Sequence, residues 1–196
     1  TLFWVCVQNF GLSVKEIPLS TLKFNHFPAR IPSASAWVFT SQNAVKNLPK
    51  ISFSGPVYAS GNQTAKALMK KGFEAKLGAN ETALSLAKKI TEDGVQSVVF
   101  FCGNMRRNEL PEYLAQNNIE LTEIVVYQTI LSPKSLQIHK GDALFFMSPS
   151  AVESFAMKNE FHSEINYYSI GETTAEALRN KGVKKINTAA EASFEA

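Results

Sequence analysis

Short apolar runs alternate with amphipathic stretches from one end of the chain to the other. The runs WVFT, PVYAS, SVVFFC, ALFFM and INYYSI are nearly continuous, and each leads through small polar residues into a stretch with helical spacing. Such runs are typical of strands that are buried on both faces of a parallel sheet. The alternation predicts an α/β protein whose parallel sheets carry helices on both sides.

The predicted helices have start and stop signals. A serine or threonine stands at each strand–helix turn as a candidate N-cap, and a glycine often follows the last helical residue. We expect a helix over Thr174–Lys181 with Gly182 as its C-cap, and the stretch KALMKKG ends in the same way at Gly72.

Most of this pattern occurs twice. YASGNQTAKALMKKG at 58–72 returns as YSIGETTAEALRNKG at 168–182, with eight of the fifteen positions identical. WVFTSQNAV likewise matches LFFMSPSAV, FGLSVKEIPL matches NNIELTEIVV, and AKLGANETALSL parallels KKINTAAEASFEA with Glu81 opposite Glu191. Repeats of this extent predict an internal duplication.

The repeated pieces stand in a permuted order, which predicts two domains. SVVFFCGN, RNELPEYLAQNN and IELTEIVVYQT lie between the copies, and their counterpart is the N-terminal piece. We expect a discontinuous domain at 1–22 plus 138–196, a continuous domain at 35–130, and linker segments at 23–34 and 131–137. The opening strand of the discontinuous domain is expected before Thr1. Two adjacent chain crossings make a narrow hinge, and ligands favour clefts between domains.

Composition narrows the class of protein. The 196 residues are 45% apolar and 19% charged, as is usual for a globular protein. The net charge of +3 is too small to indicate nucleic-acid binding. We expect no membrane partner, and we interpret TLFWVCVQNFG as a helix because it lacks the basic flank of a signal peptide. Cys6 and Cys102 both lie in apolar runs, which indicates a reducing, cytosolic protein in which Cys102 is buried packing.

Polar loops follow five of the predicted strands, at the edge where open parallel sheets bind ligands. Their candidate ligand-binding residues are Ser41, Gly61, Asn62, Thr64, Gly103, Asn104, Arg106, Ser148, Ser150, Gly171, Thr173 and Thr174. Helix N-termini present unpaired amides and the positive end of the helix dipole, so the five loops together predict a site for a ligand with several negative groups. For any single loop, a simple N-cap role remains the alternative.

Motifs for other chemistry are missing from the sequence. The three histidines lie outside these loops, so we expect no metal site. We also expect no cofactor, because neither G-x-G-x-x-G nor G-x-x-x-x-G-K-[ST] occurs.

Charged and aromatic residues add two further candidates. Arg106 and Arg107 are expected at the start of a helix, where a carboxylate ligand, Glu109 or Glu112 would compensate their charge. Tyr127 ends the extended IELTEIVVYQT, and both a role as proton donor and a role in packing remain open for it.

Taken together, VFTSQNAV, YASGNQTA, FFCGNMRRNELPEYL with EIVVYQT, FFMSPSAV and YSIGETTA resemble the uroporphyrinogen-III synthase family, from about Phe10 to the C-terminus. The resemblance implies two flavodoxin-like α/β domains joined by a two-stranded linker. It also implies a cofactor-free lyase of heme biosynthesis. Such an enzyme cyclises hydroxymethylbilane, a linear tetrapyrrole with eight carboxylates, to uroporphyrinogen III with inversion of ring D and loss of water.

The resemblance also implies residue roles. Tyr127 matches the tyrosine proposed in the family as general acid towards the departing hydroxide. Thr64, Thr174, Ser41 and Ser148 match positions that we expect to bind the substrate, mostly through backbone N–H groups. We expect a cytoplasmic monomer with transient contact to the preceding pathway enzyme. The alternative is a non-catalytic module on the same fold that senses a tetrapyrrole or a small anion.

Overall fold

The computed structural model describes residues 15–189 of the chain. The strands in this range are β1 (Ser20–Phe24), β2 (Ala36–Phe39), β3 (Val57–Ala59), β4 (Ala75–Leu77), β5 (Ser97–Gly103), β6 (Glu120–Leu131), β7 (Ala143–Phe146), β8 (Asn166–Ser169) and β9 (Ile186–Thr188). The helices are α1 (Gln42–Lys46), α2 (Asn62–Met69), α3 (Ala83–Glu92), α4 (Glu109–Gln116), α5 (Pro149–Ala156) and α6 (Glu172–Asn180). The helix expected in TLFWVCVQNFG lies outside the described residues.

Two sheets organise the described residues. The larger has the strand order β1-β6-β5-β2-β3-β4, and its neighbours from β6 to β4 pair in parallel. The smaller has the order β7-β8-β9, again with parallel pairs. The α/β class with parallel sheets, predicted from the apolar runs, is confirmed. By contact density the chain divides into two compact units, 22–129 and 1–21 with 130–196.

In the unit 22–129, the central strands bury side chains on both faces, as the continuous apolar runs predicted. One core cluster packs helices α3 and α4 against the face that carries Val38 and Phe100. The other packs helices α1 and α2 against the face that carries Phe39 and Phe101, whose rings stack with centroids 4.8 Å apart. The alternation along each strand therefore places two helices on each side of this sheet.

The described helices of the other unit cover one face of its sheet. Phe146 and Tyr167 point into a core built with α5 and α6, whereas Phe145 and Tyr168 are 47% and 37% exposed on the opposite face. Within residues 15–189, the expected helices on both sides are found only for the larger sheet. No helix in this range has the length and hydropathy needed to cross a membrane.

Helices α2 and α6 begin earlier than their threonines suggested. Their N-caps are Gly61 and Gly171, which have extended backbones and make no side-chain capping bond. Thr64 and Thr174 are the third residues of their helices and are buried, so a serine or threonine cap is absent at these two turns, and the helix predicted over Thr174–Lys181 begins two residues earlier, at Glu172. The helix starts directly after the glycine, which turns each threonine towards the core.

The predicted helix ends agree better with the structure. The C-cap of α6 is Lys181 and the predicted cap Gly182 directly follows it, while Gly72 lies two residues after Lys70, the C-cap of α2. Gly72 and Gly182 have φ angles of 87° and 86°, in the left-handed region that glycine enters at no steric cost. A helix in either copy therefore stops where the amphipathic pattern meets glycine.

Candidate functional site

Three of the predicted loops share one edge of the larger sheet. Strands β5, β2 and β3 are adjacent and parallel, so the loops after Gly103, Phe39 and Ala59 leave the sheet on the same side. Main-chain contacts tie two of these loops together, since the amide of Ser60 donates to the carbonyl of Phe39 at 3.1 Å. This edge carries seven of the candidate residues: Ser41, Gly61, Asn62, Thr64, Gly103, Asn104 and Arg106.

The remaining candidates follow β7 and β8 in the other unit. Strands β7 and β8 are parallel neighbours, so the loops with Ser148 and Gly171 leave the smaller sheet at one edge. The Ser148 and Ser150 hydroxyls lie 3.0 Å apart. The structure thus groups the candidates into two sets, one on each sheet.

Serines cap two of the helices, as their position at the turn predicted. Ser41 Oγ accepts the Asn43 amide of α1 at 3.1 Å, and Ser148 Oγ accepts the Ala151 amide of α5 at 3.2 Å. Because these hydroxyls satisfy amides of their own helices, the N-cap role left open for them is confirmed.

A carboxylate of the chain itself covers the start of α2. Glu81 Oε1 accepts the backbone amide of Asn62 at 2.9 Å. A Cβ built on Gly61 would lie 3.2 Å from Glu81 Oε2, so the glycine and the carboxyl group are in close contact. A negative group at the first turn of a helix interacts favourably with unpaired amides and the helix dipole. The amide end of α2 therefore binds a carboxylate in this structure.

The two arginines after CGN precede helix α4, which begins at Glu109 after the N-cap Asn108. The expectation that they start the helix is wrong. The Arg106 guanidinium donates to Glu123 Oε2 from Nε at 3.0 Å and from Nη2 at 2.9 Å. Arg107 pairs with Glu109 at 3.3 Å, which confirms one of the compensating partners proposed from the sequence. The charge of Arg106 is balanced by a strand β6 residue that the sequence did not single out.

Gly103 and Tyr127 are in direct contact. A Cβ built on Gly103 would overlap Tyr127 Cζ and would lie 2.7 Å from its hydroxyl oxygen, a distance that real Cβ atoms do not adopt. Asn104 then joins the same strand, because its amide donates to the Tyr127 carbonyl at 3.2 Å and its Oδ1 accepts the Thr129 amide at 2.7 Å. These two candidates from the CGN loop therefore hold the segment that carries Tyr127.

The Tyr127 phenol is partly buried beside the core. Burial raises the pKa of the Tyr127 hydroxyl above its usual value, and a hydrogen bond with Ser41 opposes that shift. Phe24 lies against the ring at a centroid distance of 6.5 Å. The hydroxyl is therefore protonated at neutral pH and able to donate, while the ring also packs, so both roles suggested by the sequence fit its position.

Cys102 behaves as a packing residue. It is a free thiol and is buried, and burial raises the pKa of its thiol to about 11, with a further rise from Glu123 and an opposing effect of Arg106. A thiol that stays protonated in this way is a poor nucleophile. The interpretation of Cys102 as buried packing is confirmed.

Comparison with known families decides the identity. The family model described as uroporphyrinogen-III synthase HemD matches residues 6–196. The chain belongs to the uroporphyrinogen-III synthase family. The resemblance found in the sequence is therefore confirmed, and the family is one of enzymes of heme biosynthesis.

Solved structures agree with this assignment. The crystal structure of uroporphyrinogen-III synthetase from Helicobacter pylori is 25% identical, with a TM-score of 0.62 over 90% of this chain and 86% of that chain. A mutant uroporphyrinogen III synthase from the extremely thermophilic bacterium Thermus thermophilus is 16% identical, with a TM-score of 0.64 over 89% of this chain and 83% of that chain. The second similarity concerns the fold alone.

Sequence reasoning missed two carboxylates in this member of the uroporphyrinogen-III synthase family. The repeat singles out Glu81 only as the partner of Glu191, which lies outside the described residues, and Glu123 only as the partner of Glu16. Both act across the fold, on Asn62 and on Arg106. The available signal was positional, because Glu81 lies just before α3 and Glu123 lies within β6, the strand that pairs with β5 and its candidate loop.

Proposed function

We propose that this chain is a uroporphyrinogen-III synthase that cyclises hydroxymethylbilane to uroporphyrinogen III, with inversion of ring D and loss of water. The family match over residues 6–196 carries the proposal. The 25% identity to the Helicobacter pylori synthetase over most of both chains supports it. The reaction makes the chain a lyase.

In the proposed reaction, the C–O bond of the hydroxymethyl group breaks and the hydroxide takes up a proton to leave as water. Tyr127 supplies that proton as general acid. Its raised pKa keeps the hydroxyl protonated when the substrate binds. The azafulvenium cation that remains then closes at ring D through a spiro intermediate, and the proton that ring D loses as its pyrrole re-forms returns to the Tyr127 phenolate. Since the same substrate closes spontaneously to the uninverted isomer, the chief contribution of the protein is to hold the chain in the productive geometry.

The polar loops are proposed to bind the substrate carboxylates. Ten of the candidates keep this role: Ser41, Gly61, Asn62, Thr64, Arg106, Ser148, Ser150, Gly171, Thr173 and Thr174. The other two, Gly103 and Asn104, contact Tyr127 instead. The contact between Glu81 and Asn62 supports this role, because the first amide of α2 donates a hydrogen bond to a carboxylate there. Substrate binding there requires Glu81 to leave.

The architecture proposed with this function is an internal duplication. Residues 1–22 with 138–196 and residues 35–130 would form two flavodoxin-like domains, with 23–34 and 131–137 as a two-stranded linker. The equivalent glycine caps of α2 and α6 support it. We propose further that the enzyme is a cytoplasmic monomer that contacts the preceding pathway enzyme transiently. Light scattering of the purified protein tests the monomer.

Isomer analysis tests the function directly. Hydroxymethylbilane is generated in the assay by the preceding enzyme, the products are oxidised, and type III and type I uroporphyrin are separated. We expect type III to dominate with this protein and type I to form without it. Tyr127→Phe should lower kcat about a hundredfold with little change in KM, because it removes a general acid and leaves the binding groups. Type I alone would reject the synthase and leave a binding module.

A further inference from the structure

Gly103 has no conformational reason to be glycine. Its φ is not among the positive values found at Gly72, Gly94, Gly141 and Gly182, so an L-residue could adopt its backbone. What excludes a side chain is the Tyr127 ring, because a Cβ would overlap Cζ and would lie 2.5 Å from Cε2 and 2.7 Å from the hydroxyl oxygen. The missing side chain leaves the space that the phenol occupies.

A break in the strand register brings the ring to this position. Along β5 and β6, Cys102 pairs with Val125, but the next residue, Gly103, pairs with Tyr127 instead of Val126. One extra residue in β6 is a β-bulge, and bulges redirect side chains next to it. In an uninterrupted ladder, Val126 would lie opposite Gly103. The bulge puts the phenol there.

Asn104 then fixes the segment beyond the bulge. Its backbone amide donates to the Tyr127 carbonyl at 3.2 Å. Its side chain accepts the Thr129 amide on Oδ1 at 2.7 Å and donates from Nδ2 to the Thr129 carbonyl at 3.3 Å. These bonds lie on both sides of Gln128. They take the place of the backbone pairing that β5 provided up to Gly103. On the β5 side, Tyr127 is therefore held by its pairing with Gly103, the last residue of β5, and by the bonds of Asn104 just beyond it.

We propose that Gly103 and Asn104 are positioning residues for Tyr127, Gly103 by leaving room for the phenol and Asn104 by holding the strand that carries it. This inference rests on the proposed function only for the consequence on turnover. The contact itself can be tested without substrate.

A thermal double-mutant cycle tests the contact. Gly103→Ala should lower the thermal midpoint by about 5 °C, because the new methyl group displaces the ring. In a Tyr127→Ala background the same change should cost close to nothing. Gly55→Ala is the matched control, since its Cβ would meet the Phe53 ring at 2.5 Å before β3, at the opposite edge of the sheet. Equal losses for Gly103→Ala in both backgrounds would overturn the proposal.

The phenol itself provides a second measurement. Absorbance at high pH, taken as the difference between each protein and its Tyr127→Phe counterpart, isolates the titration of Tyr127. The pKa of Tyr127 should be above its ordinary value in the native protein and should fall towards it in Gly103→Ala and Asn104→Ala, as the displaced ring gains water. Gly55→Ala should leave it where it was. A pKa unmoved in both loop variants would overturn the positioning role.

Turnover separates positioning from substrate binding. Gly103→Ala and Asn104→Ala should lower kcat tenfold or more with KM within about twofold, and should add no further loss to Tyr127→Phe. A raised KM with unchanged kcat would instead make them binding residues and overturn the proposal. If the native protein forms only type I product, the proposed function fails, while the thermal cycle and the titration still decide on the positioning. Asn104→Ala, which introduces no overlap, serves if Gly103→Ala does not fold.

Discussion

Helices α2 and α6 begin in the same way, with an extended glycine followed by a buried threonine three positions later, but their surroundings differ. At α2, Glu81 binds the first amide at 2.9 Å and touches Gly61. At α6, no described atom lies within 4 Å of a Cβ built on Gly171, and the Glu172 carboxylate turns to Arg179 at 2.7 Å. Among the described residues, only the first of these two helix ends holds a carboxylate on its amides.

The tyrosines that precede these two loops differ in burial. Tyr58 is fully buried and donates to Asp93 Oδ2 at 2.8 Å, whereas Tyr168 is 37% exposed. Glu81 and Asp93 both come from the segment around α3. The two loops thus share the backbone of the helix start, while the described side chains around them differ. A set of paired substitutions can test whether this difference in the described surroundings of α2 and α6 affects anion binding.

The largest effect is expected from an aspartate at the cap of α6. Gly171→Asp places a carboxylate where it can accept the amides of its own helix, and no described atom lies within 4 Å of the new Cβ. If the substrate uses these amides, KM should rise about 10- to 100-fold, since hydrogen bonds to charged groups contribute about 1.5–3 kcal/mol. Gly61→Asp should raise KM less, because Glu81 already occupies the α2 amides. Gly171→Asn caps the same amides without a charge, so it shows how much of the KM change is due to the charge of the aspartate. An equal rise in KM for Gly171→Asp and Gly61→Asp would contradict the difference between the two loops.

Asp93 should give the largest stability effect and a specific pH dependence. Lys76 first, then Lys89 and Tyr58, hold the pKa of the Asp93 carboxyl far below its usual range by hydrogen bonding to it. Because the folded pKa lies below the unfolded one, this stabilisation is complete above about pH 4 and is lost as the pH falls further. Asp93→Asn should therefore be much less stable than the native protein at neutral pH and should approach it in acid.

Glu172→Gln is the counterpart in the second copy. A hydrogen bond from Arg179 lowers the pKa of Glu172, but this exposed group has one cationic partner where Asp93 has two. The loss in urea unfolding should have the same pH dependence as for Asp93→Asn and a smaller size. A stability difference for Asp93→Asn that stays constant from neutral to acid pH would exclude the charged network as its cause.

Removing one hydroxyl compares the two tyrosines directly. Tyr58→Phe deletes one of the three hydrogen bonds to Asp93 and should cost about 1 kcal/mol in the free energy of unfolding. Tyr168→Phe, at an exposed position, should stay within about 0.5 kcal/mol of the native protein. Chemical denaturation of the two variants measures both values. A cost at Tyr168 as large as at Tyr58 would show that the second tyrosine also has a partner.

The elements of the fold were predictable because their signals are local. Each apolar run became a strand, and the left-handed glycines ended α2 and α6. The starts of α2 and α6 were harder to predict. Gly61 and Gly171 are their N-caps and have no capping side chain, so the residue types around the turn do not reveal where the helix begins.

The contacts of the candidate site depend on distances across the fold. Arg106 meets Glu123 only because β5 and β6 pair in a particular register, and Gly103 meets Tyr127 only because that register shifts by one residue. A period-2 pattern predicts which face a residue occupies but not where a bulge falls. The candidate loops were therefore identified from the sequence, while the partners of their residues were not.

The smallest effect is expected at Glu81, whose carboxylate covers the first amide of α2. Glu81→Ala frees the Asn62 amide, so KM should fall two- to threefold while the fold loses about 0.5 kcal/mol of favourable charge at the α2 N-terminus. Glu74→Ala removes the same charge from the same unit without uncovering the amide, so it should change KM less. If both variants lower KM equally, net charge and not competition for the amide explains the effect. If Glu81→Ala raises KM, the carboxylate assists binding, and the α2 loop holds its ligand with Glu81 in place.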